Sequence, residues 1–258
     1  PGGKPGERST DRRDDRSDRA DALPRGPRIP DDVTAEELDK GVLLELRTLP
    51  EGLADRVARH LVAAERAMVA DDVTTARAHI AAAQARASRV SAVREAAAIA
   101  AYRDGDFAAA LTELRTLRRM RGGVAFAPMM ADCERGLGRP GKALEILKGV
   151  DVAELDPETK VELLIVAAGA RADLGQVDAA ILTLKVPELT RLAPGSARAR
   201  LQYAYSDLLF RAGRPTEAWE WMERAAGSDI DGVTDAAERC DEYAGVLLSE
   251  ETIDPASD

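Results

Sequence analysis

Apolar residues recur along this chain at the three- and four-residue spacing of a helix face, and no stretch alternates with the period of two that marks a half-buried strand. Thr34 and Glu37 have the spacing of a capping box ahead of Leu38, Val42, Leu43 and Leu46. This predicts an N-terminal helix within residues 31–50 that stops before Pro50. From 51 to about Leu248 the helical pattern continues, broken only at short turns. A final amphipathic stretch carries Val233, Ala236, Ala237, Cys240, Tyr243 and Val246 on one face.

The turns repeat. Asp71-Asp72-Val73, Gly105-Asp106-Phe107, Gly138-Arg139-Pro140, Gly175-Gln176-Val177 and Gly213-Arg214-Pro215 each put Gly or Asp five residues before an alanine: Ala76, Ala110, Ala143, Ala180 and Ala218. One helical turn after each alanine stands a larger apolar residue, Ile80, Leu114, Leu147, Leu184 or Met222. The pattern describes pairs of helices joined by a tight turn. Glycine supplies the backbone freedom that ends the first helix, and the small alanine lets the second approach it closely. Successive turns lie 34, 33, 37 and 38 residues apart, the period of a helix-pair repeat with insertions in the last two intervals.

On these residues the segment 51–227 resembles the tetratricopeptide repeat (TPR) family, best at Ala101-Tyr102-Arg103-Asp104-Gly105-Asp106-Phe107 followed by Ala110 and Leu111. Where the family has a glycine in the middle of each first helix, this chain has Ala64, Ala98, Ala131, Ala168 and Ser206, and the first repeat lacks its turn glycine. With its Arg- and Asp-rich head, the whole chain also resembles TPR proteins of high-GC bacteria, a likeness that implies no particular activity. The expected fold is all-α, an α-solenoid of about five TPR-like helix-turn-helix repeats with a disordered N-terminal segment. Its domains are a charged segment at 1–30, a helix at 31–50, repeats at 51–227, a capping helix at 228–250 and a tail at 251–258.

Composition sharpens this in places. Alanine is abundant and aromatic residues make up only 3% of the 258, which suits close helix packing better than a sheet. Residues 1–30 hold scarcely an apolar side chain, so they cannot offset the entropy of ordering and are expected to be disordered. The alternative is a charged arm that touches nucleic acid or an acidic partner, against which its interleaved signs leave it little net charge. No apolar run is long enough to span a membrane and no signal-peptide stretch opens the sequence, so the expected location is cytoplasmic, with no membrane partner.

The net charge of −10 is unevenly placed: the first half of the repeat region is rich in arginine and the second in carboxylates. Head-to-tail self-association, weakened by salt, is one consequence to expect. Arg115, Arg118, Arg119 and Arg121 close one helix; they either complement the negative end of its dipole or, with Arg77, Arg86, Arg89, Arg94 and Arg103, form an anion-docking patch.

No constellation for catalysis, a metal or a cofactor stands out. Cys133 and Cys240 lie far apart, His60 and His79 have no triad partners, and Gly122-Gly123 has no preceding strand to make it a phosphate loop. The chain is therefore read as a non-enzymatic adaptor that binds a protein or peptide in the groove lined by first helices. Side chains placed there are Glu65, Met68, Glu95, Tyr102, Asp132, Arg135, Tyr203, Asp207, Phe210 and Arg211, with Tyr203 beside Asp207 and Phe210 beside Arg211 as the strongest pairs. The aromatics could instead pack between repeats. The family's clamp for acidic chaperone tails uses Lys and Asn from successive first helices; asparagine is absent here, which argues against that ligand. The alternative is a factor that binds RNA or the ribosome through the arginine-rich repeats, although aromatics to stack bases are nearly absent there.

Overall fold

The computed structural model describes residues 26–251, which are helical throughout their regular parts, with no strand. The helices are α1 Lys40–Leu46, α2 Glu51–Val69, α3 Val73–Ala87, α4 Ser91–Arg103, α5 Phe107–Arg121, α6 Ala127–Gly136, α7 Pro140–Lys148, α8 Pro157–Asp173, α9 Val177–Leu184, α10 Glu188–Arg191, α11 Ser196–Arg211, α12 Pro215–Ser228 and α13 Ala236–Glu251. Five helix pairs follow the repeating turns: α2/α3, α4/α5, α6/α7, α8/α9 and α11/α12. The expected all-α, TPR-like architecture is what the chain adopts. Two compact units divide it, the first ending at Gly122 and the second beginning at Gly123.

All five turns close in the same way. In each, the amide one residue past the turn donates to a carbonyl five residues back: Asp72 to Ala67, Asp106 to Ala101, Arg139 to Glu134, Gln176 to Arg171 and Arg214 to Leu209, at 2.8–3.0 Å. This is the Schellman closure, which requires a left-handed residue at the turn. Gly105, Gly138, Gly175 and Gly213 take it with φ of 71–75°, and Asp71 takes it at φ 58° in the repeat without a glycine. Four of the five second helices then start by one of two devices, and α9 follows Gln176 with neither. Asp72 and Asp106 cap the amides of Thr75 and Ala109, while Pro140 and Pro215 occupy the first helical position.

Packing follows the small-residue pattern. The five alanines after the turns are wholly buried, and the larger residues one turn on fill the space beside them. Ala64, Ala98, Ala131, Ala168 and Ser206 are buried on the first helices. Ser206 makes up for its polarity by donating its hydroxyl to the carbonyl of Ala218 on the partner helix.

In the first unit, the pattern and the structure differ at two places. Thr34 and Glu37 do form a capping box, but it closes a 3-10 turn at Ala35–Glu37, and α1 begins later with Asp39 as its cap. The expectation that residues 1–30 are loose meets a packed end: a methyl carbon added to Gly26 would lie 2.3 Å from Ala82 Cβ and 2.9 Å from His60 Cε1. Only a residue without Cβ lets the backbone lie this flat on α2 and α3, and such a contact leaves no apolar signature in the sequence. The readings of 1–25 as a charged arm and of 252–258 as a tail, and the inward role read for Val246, lie outside the described residues.

In the second unit, the two long intervals are accounted for. One holds a 3-10 turn at Val152–Glu154 between α7 and α8; the other holds α10. Buried Gln202 secures the latter, donating to the Leu189 carbonyl at 2.7 Å and accepting from Ser228 Oγ at 2.8 Å. Helix α13 packs on α12 through Ala236 and Tyr243, and Phe210 stacks on Tyr243 with ring centroids 4.3 Å apart.

Candidate functional site

The second unit contains a concavity of about 740 Å³. Helix α11 supplies one wall, because Tyr203, Asp207 and Arg211 recur at four-residue spacing and so share a face. Helix α8 supplies Ile165, Ala168 and Gly169, α6 reaches in with Arg135, and the loop before α13 adds Val233 and Asp235. Four of the ten groove residues expected from the sequence, Arg135, Tyr203, Asp207 and Arg211, thus line one cavity. Asp132 is tied to it through Arg135, and Tyr102 belongs to the first unit, where it packs edge-on against Phe107 at 5.7 Å. Phe210 does not face the cavity; it is the half-buried partner of Tyr243.

Arg135 crosses the backbone of α8 at Gly169, where an added methyl carbon would lie 2.5 Å from the guanidinium carbon. The guanidinium donates to Asp173 at 2.8 Å and to Asp132 at 2.7 Å. Burial works against its charge, but the hydrogen bonds and attraction of the two carboxylates outweigh this and keep it protonated. Arg239 of α13 closes the other side, donating to Asp207 at 3.2 Å and Tyr243 Oη at 3.0 Å, with Tyr203 Oη at 3.4 Å. Burial, and then its hydrogen bond to Asp235, push the Tyr203 phenol up to about 12, so it remains a neutral donor. Arg200 is matched by Glu162 at 2.6 Å.

The first unit has a smaller, more apolar concavity of about 410 Å³ with Leu38, Met68, Val69 and Ile99 on its walls and Glu65, Glu95 and Arg103 around them. Its arginines are less available than the sequence suggested. Arg121 donates to both Glu45 and Glu95, Arg77 pairs with Asp104 and Asp106, and Arg94 pairs with Glu113. Arg115, Arg118 and Arg119 are exposed on α5, and Arg119 donates to Thr116 Oγ1. The expected basic patch is therefore partly neutralised from within.

Sequence reasoning missed one cluster. His60 and His79 are buried between α2 and α3 with their Nδ1 atoms 3.0 Å apart. Burial, then His79 and the charges of Arg86, Arg56 and Arg59, push the His60 imidazole down to about 4, and burial lowers His79 as well. The available signal was their placement on either side of the Asp71-Asp72 turn, which folds the two helices face to face. The thiols show no sign of activation: burial, then Asp132 and Glu134, push Cys133 up to about 12, and burial raises Cys240.

Among the described residues, no group of three or more His, Cys, Asp or Glu could hold a metal ion, and no helix is long and apolar enough to cross a membrane. No family model matches the chain, and none of the curated proteins matches its sequence. Among solved structures it is similar to the crystal structure of a thermophilic TPR protein in Thermus thermophilus, with a TM-score of 0.58 and 20% sequence identity over 74% of this chain and 99% of that one. This likeness supports a TPR-like fold.

Proposed function

We propose that the chain is a non-enzymatic binding scaffold whose second unit holds a peptide segment of a partner protein in the concavity walled by α11 and α8. The carrying observation is convergence: side chains from α6, α8, α11 and the loop before α13 surround one open cavity whose size suits a ligand. Its walls mix apolar floor residues with fixed polar groups. Tyr203 is an aromatic with a neutral donor at its tip, the type of side chain that contributes most to interfaces. The fold class itself favours protein partners through such concave faces. Binding through the arginines of the first unit has less support, since Arg77, Arg94 and Arg121 are already matched by carboxylates.

The test is a random-peptide phage selection against the full chain, with each enriched peptide resynthesised and its Kd measured. Tyr203→Ala and Arg211→Ala, checked for folding by circular dichroism, should abolish or strongly weaken binding. Failure to enrich any peptide above an unrelated helical protein would sink the reading. So would binders that ignore both substitutions but are lost on Arg118→Glu with Arg119→Glu.

A further inference from the structure

We infer that the concavity of the second unit selects an extended peptide carrying an acidic and a basic side chain four residues apart, with an apolar residue between them; this rests on the peptide-binding reading above.

The inference comes from asking which charges around the cavity are already matched. Arg135 is held by Asp132 and Asp173, Arg200 by Glu162, and Asp207 by Arg239. What remains is separated by sign. Arg211, exposed at the C-terminal end of α11, forms no ion pair among the described residues. Asp235, exposed and likewise without an ion pair among the described residues, bonds Tyr203, and Glu238, also exposed and without an ion pair among them, follows three residues later in the first turn of α13. All three line the same cavity.

The two ends are a definite distance apart. Tyr203 marks the acidic end and lies eight residues before Arg211 on one helix, which at 1.5 Å per residue is about 12 Å. An extended peptide rises about 3.3 Å per residue and returns to the same face every second residue, so positions one and five lie about 13 Å apart on one side. Between those ends Ala204 and Leu208 of α11 line the cavity together with Ile165 of α8 and are apolar, while Asp207 is taken by Arg239. A helical peptide would present the same two charges only about 6 Å apart at that spacing, too short to reach both ends.

The experiment uses fluorescence anisotropy of labelled peptides with the full chain. The core sequences are Glu-Ser-Leu-Ser-Lys, its reverse Lys-Ser-Leu-Ser-Glu, and controls with two Glu, two Lys or two Gln at the ends. One of the two mixed-charge orders should bind about tenfold tighter than the double-Gln control, the scale of two favourable exposed ion pairs. The triple variant Arg211→Glu with Asp235→Lys and Glu238→Lys should then prefer the opposite order. A double-Gln peptide that binds as tightly as either mixed one would overturn the charge assignment and leave the peptide reading standing. If none of the five binds, this inference falls, while the phage selection judges the peptide reading separately.

Discussion

Acidification should destabilise the first unit through the His60–His79 pair, and the size of the effect follows from its burial. In the unfolded chain each imidazole titrates near 6.5, whereas His60 in the folded chain titrates near 4 and His79 is lowered as well. The folded state therefore resists a proton that the unfolded state accepts, so the pair's contribution is intact above about pH 6.5 and is lost as the pH falls through the folded values. For His60 alone, the linkage relation gives a loss of about 1.4 kcal/mol between about pH 7.5 and about pH 5.5, approaching about 3 kcal/mol below pH 4. His79 acts in the same direction. The facing charges that oppose protonation, Arg56 and Arg59 on α2 and Arg86 on α3, carry the same sign at every pH in this range.

Because the chain has only two histidines, their ring protons can be followed one by one in an NMR titration. Urea unfolding by far-UV circular dichroism at the two pH values gives the stability. Tryptophan emission would be the wrong probe, since Trp219 and Trp221 both belong to the second unit. The double variant His60→Gln with His79→Gln should lose at least 1 kcal/mol less than the unsubstituted chain over the same interval, a margin set by the linkage estimate, about 1.4 kcal/mol for His60. A His60 midpoint within half a unit of 6.5, or equal pH dependence in both chains, would refute the reasoning.

Other substitutions probe the same physics elsewhere. Gly26→Val should push the N-terminal backbone off Ala82 and His60, letting water reach the ring, and the His60 midpoint should move back toward 6.5; an unmoved midpoint would mean that Gly26 does not shield it. Gly169→Ala adds helix propensity of about 1 kcal/mol but displaces the Arg135 guanidinium from its carboxylates, so stability should change by less than about 1 kcal/mol while peptide affinity changes; a large stability loss would show that Arg135 cannot move. Asp71→Gly relieves the one non-glycine left-handed turn and should raise the midpoint of urea unfolding, by about 0.5–1 kcal/mol in stability, with no change in the helical signal.

The fold was readable because its constraints are local and repeated. Each turn asks for one left-handed residue and each helix pair for one small residue at a fixed distance from it; the sequence displays the alanine five times and the glycine four times, with Asp71 at the remaining turn. Ser206 fits this pattern although it is polar, because a hydroxyl is little larger than a methyl and finds the Ala218 carbonyl across the crossing. What the pattern did not display were contacts made by the absence of a side chain. Gly26 and Gly169 each accept a neighbour, a histidine ring in one case and a guanidinium in the other, and neither belongs to a periodic position.

The charges of the candidate site follow a rule that the repeat itself imposes. Equivalent positions on successive first helices become lateral neighbours, so residues about one repeat apart meet: Glu162 with Arg200 and Arg135 with Asp173, each 38 residues apart. A charge whose counterpart one repeat away has opposite sign is thereby silenced, however exposed it looks in the sequence. Arg211 escapes because its equivalent, Asp173, is already taken by Arg135, and because α13 directs its own Arg239 to Asp207 instead. The cavity's charges without an ion pair among the described residues are those for which this lateral pairing runs out: Arg211 at the end of α11, and Asp235 and Glu238 at the start of α13, which follows the fifth helix pair.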